Sequence, residues 1–233
     1  MSEIVKTTLE DGIAVVRLDD GKVNALSPAV VGALGAALDR AEKEAVALLL
    51  VGREGVLSAG FDLATMRAGP EAVRALVAAG AELFLRFLES PLPVVVACPG
   101  HALAAGALLL LCADQRVAAA GEARIGLNEV AIGMRLPIFA VEIARLRLST
   151  RHFPRATAQA EIFGPEAALE AGYLDRLVPA PALEATARAE AARLATLPRG
   201  AFGHAKRRAF GATVAAIRES LRDDLAGLTG PTA

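Results

Sequence analysis

Apolar positions along the first two thirds of this chain follow two alternating rhythms. Residues 4–9 and 13–18 are short apolar-rich runs separated by Glu10-Asp11-Gly12, which predicts a hairpin. Ser27 then stands where an N-cap belongs, ahead of a helix reaching about Glu44. Residues 46–51 and 93–98 are unbroken apolar runs, the mark of buried strands. Between them, residues 70–88 repeat apolar side chains at helical spacing. Gly100 is expected to open a turn and a helix to start near Ala105, with short strands at 116–118 and 123–125. From Leu136 the pattern becomes mostly helical, punctuated by Pro154, Pro165 and Pro181, with one extended piece at 173–178. Two or three helices follow over 182–228, and residues 229–233 read as a frayed tail. Alternation of this kind predicts an α/β layer arrangement with helices covering a sheet. The change in character near residue 180 divides a core, residues 1–180, from a helical region, residues 181–233.

The chain has 233 residues, enough for one large domain or a domain with an appendage, and 54% of them are hydrophobic. Ala and Leu supply much of that share, which suits close-packed helices and aliphatic strands. A formal net charge of −1 gives no basic surface for nucleic acid or an anionic membrane. The two cysteines, Cys98 and Cys112, lie inside apolar stretches without metal-ligand spacing, so reduced, buried thiols are expected. The first residues lack the apolar core of a signal peptide, and the longest apolar run, 102–113, is too short to span a bilayer. The expectation is a soluble cytoplasmic protein.

Three segments carry candidate chemistry. In Ser58-Ala59-Gly60-Phe61-Asp62-Leu63, a glycine before Phe61 lets the backbone turn so that the Phe61 N–H faces a cleft. The plain alternative is a strand-to-helix turn capped by Asp62. In Ala104-Ala105-Gly106, small side chains let a ligand approach the main chain. The first N–H groups of a helix also lack internal partners, so Ala105 N–H is a second donor. Tight helix packing explains the same residues. In Ile125-Gly126-Leu127-Asn128-Glu129-Val130, one carboxylate sits among apolar neighbours, which raises its pKa toward that of a useful base. A surface glutamate at a turn is the alternative. Two donors and one acid form a kit for chemistry beside a carbonyl.

Taken together, in this order and spacing, the three segments resemble the crotonase superfamily of enoyl-CoA hydratases and isomerases. The likeness runs from Val23-Asn24-Ala25-Leu26-Ser27 to Ala205-Lys206-Arg207-Arg208 and includes the tract Ala171-Gly172-Tyr173-Leu174-Asp175-Arg176-Leu177-Val178. The resemblance implies a spiral core of ββα turns and a C-terminal helical trimerisation region, giving a homotrimer or a dimer of trimers. It implies that the amides of Phe61 and Ala105 hold the thioester oxygen of an acyl-CoA. Ala25, Leu26, Ala59 and Leu63 would line the CoA channel, Asp62 would lie by the adenine, and Lys206 would reach a phosphate. CoA is then part of the substrate, and neither a cofactor nor a metal is required.

One departure shapes the expected reaction. Classical hydratases carry a second glutamate on the helix after Ala105, where this chain has Leu108. Hydration needs a water held between two acid–base groups, whereas one carboxylate suffices to move a proton between two carbons. The Ile125-Gly126-Leu127-Asn128-Glu129 tract is similar to that of the single-glutamate Δ3,Δ2-enoyl-CoA isomerases. Residues 132–139 also lack the hydratases' Gly-rich segment. The expectation is an isomerase with Glu129 as its acid–base. Hydratase or acyl-CoA hydrolase activity is the alternative within the family. A non-catalytic acyl-CoA or RNA binding protein is the alternative outside it. His101 and Asp114 are given no catalytic role, Asp114 being read as a structural cap or turn residue.

Overall fold

The computed structural model describes residues 4–228, so the tail expected at 229–233 lies outside the described residues. The chain begins with an antiparallel hairpin, β1 (Val5–Glu10) and β2 (Ile13–Leu18). Helix α1 (Pro28–Glu44) follows, its first turn closed by Ser27 Oγ accepting from Val30 N–H at 3.3 Å. Val30, Val31, Leu34, Leu38 and Ala41 form its buried stripe. Strand β3 (Ala47–Val51) is buried at every position because helices cover both faces of the sheet there. Next come β4 (Gly55–Ser58), the short α2 (Leu63–Arg67) and α3 (Pro70–Glu89). Strands β5 (Val94–Cys98) and β6 (Gly100–Leu103) lead into α4 (Ala105–Leu111).

Beyond α4 lie β7 (Gln115–Ala119) and the two-residue β8 (Ile125–Gly126). Helices α5 (Ile138–Arg147), α6 (Phe153–Ala156) and α7 (Pro165–Ala171) follow. Strand β9 (Arg176–Val178), α8 (Leu183–Ala195) and α9 (Arg199–Ala226) complete the described chain. Six strands form one sheet in the order β1-β2-β3-β5-β7-β9, parallel except at the first hairpin. Ala187 and Ala191 of α8 pack on one face against Val15, Leu49, Val95 and Val117. On the other face α1, α3, α4 and α5 share the larger core, with α9 laid across α3 and α5.

A second sheet, β4-β6-β8, is parallel and has only three short strands. Its first two strands have no counterpart in the sequence reading. At four residues each they are too short to show a period. The turn expected at Gly100 is corrected: Gly100 is the first residue of β6. A Cβ there would lie 2.0 Å from the Gly55 carbonyl oxygen, so this glycine marks strands in close approach rather than a reversal. The extended piece expected over 173–178 is strand only from Arg176. Gly172, left-handed at φ 99°, ends α7 and commits Tyr173 to the helix cap.

Candidate active site

The small sheet brings the three chemical segments together. At the end of β4, Asn24 is fully buried and left-handed (φ 53°), and its Nδ2 donates to the carbonyls of Leu18 (2.9 Å) and Leu57 (3.1 Å). Ser58 Oγ donates to Asn24 O at 2.7 Å. This clamp lays residues 25–26 beside 60–62. Leu26 N–H donates to Gly60 O (2.8 Å), and Asp62 N–H donates to Leu26 O (3.2 Å). Such a parallel bridge uses the groups flanking Phe61 and turns the Phe61 N–H away from it. That amide has no protein acceptor among the described residues.

The second amide is set by a strained turn. Ala104 adopts φ 51°, ψ −126°, a conformation that L-residues resist at a cost of about 1–3 kcal/mol. Its N–H donates to Gly126 O at 2.9 Å, which ties the turn to the strand that carries the acid. Ala105 is the first residue of α4, and its N–H also lacks a protein acceptor among the described residues. The two turns touch. A Cβ on Gly60 would lie 2.9 Å from Ala104 Cβ and 3.4 Å from Ala105 N, and Gly60 itself has φ 99°. A Cβ on Gly106 would meet Ser58 O at 2.2 Å, so α4 starts directly against β4. Glycine at 60 and 106 therefore sets the spacing of the two free amides.

Glu129 follows β8 and opens a single 3-10 turn, Val130–Ile132, whose amide bonds converge on its carbonyl: Ile132 N–H at 3.1 Å and Met134 N–H at 2.9 Å. Its side chain is 9% exposed, and Oε2 is buried with no hydrogen-bond partner. Burial pushes its pKa up from 4.5 to about 7, with its own backbone N–H opposing the rise. The carboxylate lines a narrow cavity of about 30 Å³ together with Phe61, Leu108, Met66, Met134, Phe139 and others. The Phe61 ring lies against Gly80 of α3 and is tilted toward Phe84 at 6.4 Å. A base with a pKa near neutrality, an apolar enclosure and two unspent amides in one place can abstract and return a proton beside a polarised carbonyl.

The structure brings Glu129, Phe61, Ala105 and Leu108 together. Ala25, Ala59 and Leu63 lie on the two bridged segments beside Phe61; Ala59 and Leu63 are exposed and Ala25 is half-buried. Leu26 departs from expectation: it is fully buried, so its part is the backbone bridge rather than a channel wall. Asp62 caps α2, accepting from Thr65 N–H (2.8 Å) and Thr65 Oγ1 (2.7 Å), and these bonds hold its carboxyl below the usual carboxylate range.

Lys206 requires correction. It is 4% exposed, and Nζ donates to Asp114 Oδ2 at 2.7 Å within the same chain. Burial pushes its pKa down against the pull of Asp114. A lysine spent in this way is not free for a phosphate. Asp114 also accepts from Val94 N–H at 2.9 Å, a structural role. Arg147 covers carbonyls at and just beyond the end of α4, donating to Leu111 O (3.0 Å) and Ala113 O (2.7 Å). The His101 ring accepts from Arg124 N–H at 2.9 Å and is exposed. Sequence reasoning missed the strain at Ala104, the clamp at Asn24 and Ser58, and the burial of Tyr173. A positive-φ alanine has no sequence signal.

Residues 8–223 match the family model described as enoyl-CoA hydratase/isomerase. The chain belongs to this family of enzymes, within the crotonase superfamily, and has its fold. It is 31% identical over 192 residues to the human mitochondrial enoyl-CoA delta isomerase 1, covering 80% of this chain and 64% of the human protein. It is 36% identical over 211 residues to a probable enoyl-CoA hydratase of Rhodobacter capsulatus, covering 87% of this chain and 79% of that one. A solved structure of an enoyl-CoA isomerase of Mycobacterium tuberculosis superposes with a TM-score of 0.93 at 41% identity, covering 98% of this chain and 100% of that one. The relatives' names divide between isomerase and hydratase. Among the described residues, no helix is long and apolar enough to cross a membrane.

Proposed function

We propose that this protein is a Δ3,Δ2-enoyl-CoA isomerase acting through Glu129 alone. The observation that carries the reading is a single buried carboxylate, raised to about 7, sharing its cavity with a leucine at position 108. Ionised Glu129 takes a proton from the α-carbon of a 3-enoyl-CoA. The electron pair of that C–H bond passes to the thioester oxygen, which the Phe61 and Ala105 amides receive as an enolate. The same carboxyl then returns the proton to the γ-carbon, the double bond moves to the 2-position, and the oxygen recovers its carbonyl form. Both amides gain most as charge develops, so they favour the transition state over bound substrate. Losing one such donor costs on the order of a hundredfold or more in rate.

Hydration of a 2-enoyl-CoA needs a second polar group to hold the attacking water. The apolar wall supplied by Leu108, Phe139 and Met66 weighs against it. Met66 and Met134 also line the small cavity, and their flexible side chains must shift to admit acyl carbons. The thioester end is assigned to the bridged segments carrying Ala25, Ala59 and Leu63. Assembly as a trimer, or a dimer of trimers, through the C-terminal helices belongs to the same proposal, as does a place in the cytoplasm. The test is conversion of 3-enoyl-CoA by purified wild type and Glu129→Gln. Isomerisation by wild type that falls by about 10³ or more in the variant is expected, since the proton carrier is removed. Equal rates would remove Glu129 from the reaction.

A further inference from the structure

The cavity beside Glu129 is completed by a residue from far along the chain. The thioester oxygen and the reacting carbons are assigned to the Phe61 and Ala105 amides and to Glu129. Carbons further along an acyl chain are left with Met66, Val73, Val77, Met134, Phe139 and Leu228. The space of about 30 Å³ holds no more than a water or two, so a longer chain enters only if a wall gives. Most of that wall is set in packed helices: Val73 and Val77 on α3, Leu108 on α4 and Phe139 on α5. Leu228 differs. It is buried but lies just beyond α9, where its N–H donates to Leu225 O at 3.2 Å.

Helix α9 is tied to the core up to its last turns. Lys206 pairs with Asp114, and Arg218 pairs with Glu82 (3.1 Å) and Glu89 (2.7 Å) of α3. Past Arg218 an open cleft of about 770 Å³ lies between the two helices, lined by Arg74, Ala75 and Ala78 of α3 and by Leu221, Leu225 and Ala226 of α9. The last turn is therefore a thin partition, with Leu225 and Ala226 on the cleft and Leu228 on the acyl cavity. Among the described residues, one side-chain hydrogen bond ties this turn to another element: Asp224 Oδ2 accepts from Ile138 N–H at 2.6 Å. Pro137 gives α5 no side-chain cap, and the Asp224 carboxylate supplies one from α9. Pro137 and Phe139, on either side of that bond, both line the cavity.

We infer that the last turn of α9 sets the acyl length this enzyme accepts, with Leu228 stopping the cavity and Asp224 holding the stop in place. This deepens the proposed function and rests on acyl chains entering the Glu129 cavity. Leu228 meets the tail of the substrate. Asp224 acts through Leu228 and is a positioning residue. Each methylene buried among apolar side chains is worth about fourfold in affinity. With the turn in place, carbons beyond the stop find no such surface, and added length gains nothing. Trimming Leu228, or releasing the turn, joins the cavity to the cleft behind it. There Ala75, Ala78, Leu221 and Leu225 offer the tail an apolar bed.

Saturated hexanoyl-CoA and decanoyl-CoA have no double bond to move, so their Kd values read the cavity apart from the chemistry. Both are measured by isothermal titration calorimetry on wild type, Leu228→Ala, Asp224→Ala and Asp224→Asn, each checked by thermal unfolding for a folded state. Wild type should bind decanoyl-CoA no more tightly than hexanoyl-CoA. In Leu228→Ala the preference should move toward decanoyl-CoA by about tenfold or more. Asp224→Ala leaves every side chain of the cavity wall in place and should move the preference the same way, by about fourfold or more. Asp224→Asn keeps an oxygen for Ile138 N–H and should restore the wild-type ratio. Tighter binding of decanoyl-CoA by wild type overturns the inference, as does an unchanged ratio in either alanine variant. The length shift without turnover of 3-hexenoyl-CoA would sink the isomerase reading and leave this inference standing. Turnover of 3-hexenoyl-CoA without the length shift would do the reverse.

Discussion

Glu129 should weaken the fold in order to serve as a base, and its removal should show this quantitatively. In the unfolded chain its carboxyl ionises at about 4.5; in the fold, burial moves this to about 7. The folded state binds the proton more tightly, so the sign is that of a raised acid. Below about pH 4.5 both states are protonated and nothing is lost. Stability then declines as pH rises to about 7 and levels off above it. Each pH unit between the two values is about 1.4 kcal/mol, which makes the full penalty about 3 kcal/mol. Glu129→Gln removes the charge and keeps the shape, and the lost Oε2 had no partner to forfeit. The variant should match wild type at pH 4.5 and exceed it by about 3 kcal/mol at pH 8.5. For a chain of this size that is about 6–12 °C in Tm. The assay is thermal unfolding of both proteins from pH 4.5 to 9, at fixed protein concentration so that assembly contributes equally. A difference that is constant across pH, or a variant less stable at pH 8.5, would refute the buried-charge argument.

Other residues make separate predictions. Lys206→Met leaves Asp114 buried without its partner and should cost about 3–5 kcal/mol in urea unfolding while KM for the CoA thioester stays unchanged. A raised KM without loss of stability would return Lys206 to a phosphate-binding role. Ala104→Gly relieves the left-handed strain at φ 51° and should stabilise by about 1 kcal/mol with activity retained, read from the urea midpoint. Burial pushes the thiols of Cys98 and Cys112 up to about 12, so neither should react with a thiol reagent at pH 8 until the protein is denatured.

Long elements were legible in the sequence because period and caps agree there. Ser27, Pro28 and the stripe from Val30 to Ala41 define α1 without ambiguity, and the unbroken run in β3 could only be a buried strand. The elements that carry the site were the least legible. Strands β4, β6 and β8 have four, four and two residues, and two of them begin or end on glycines kept for backbone contact rather than for turning. Phe61, Ala105 and Glu129 were nevertheless identifiable, since small residues before a free amide and a lone acid in an apolar stretch are local signals. Lys206 was misread for the opposite reason. A lysine in a basic run on a helix looks exposed until the long-range partner, Asp114, is known.

The most direct test of the central claim is a paired assay on one preparation: conversion of 3-enoyl-CoA to 2-enoyl-CoA, and hydration of 2-enoyl-CoA. Rapid isomerisation that depends on Glu129, with hydration slower by orders of magnitude, is the predicted result. Hydration as fast as isomerisation would contradict it, and would mean that a group other than a second glutamate holds the attacking water beside Leu108.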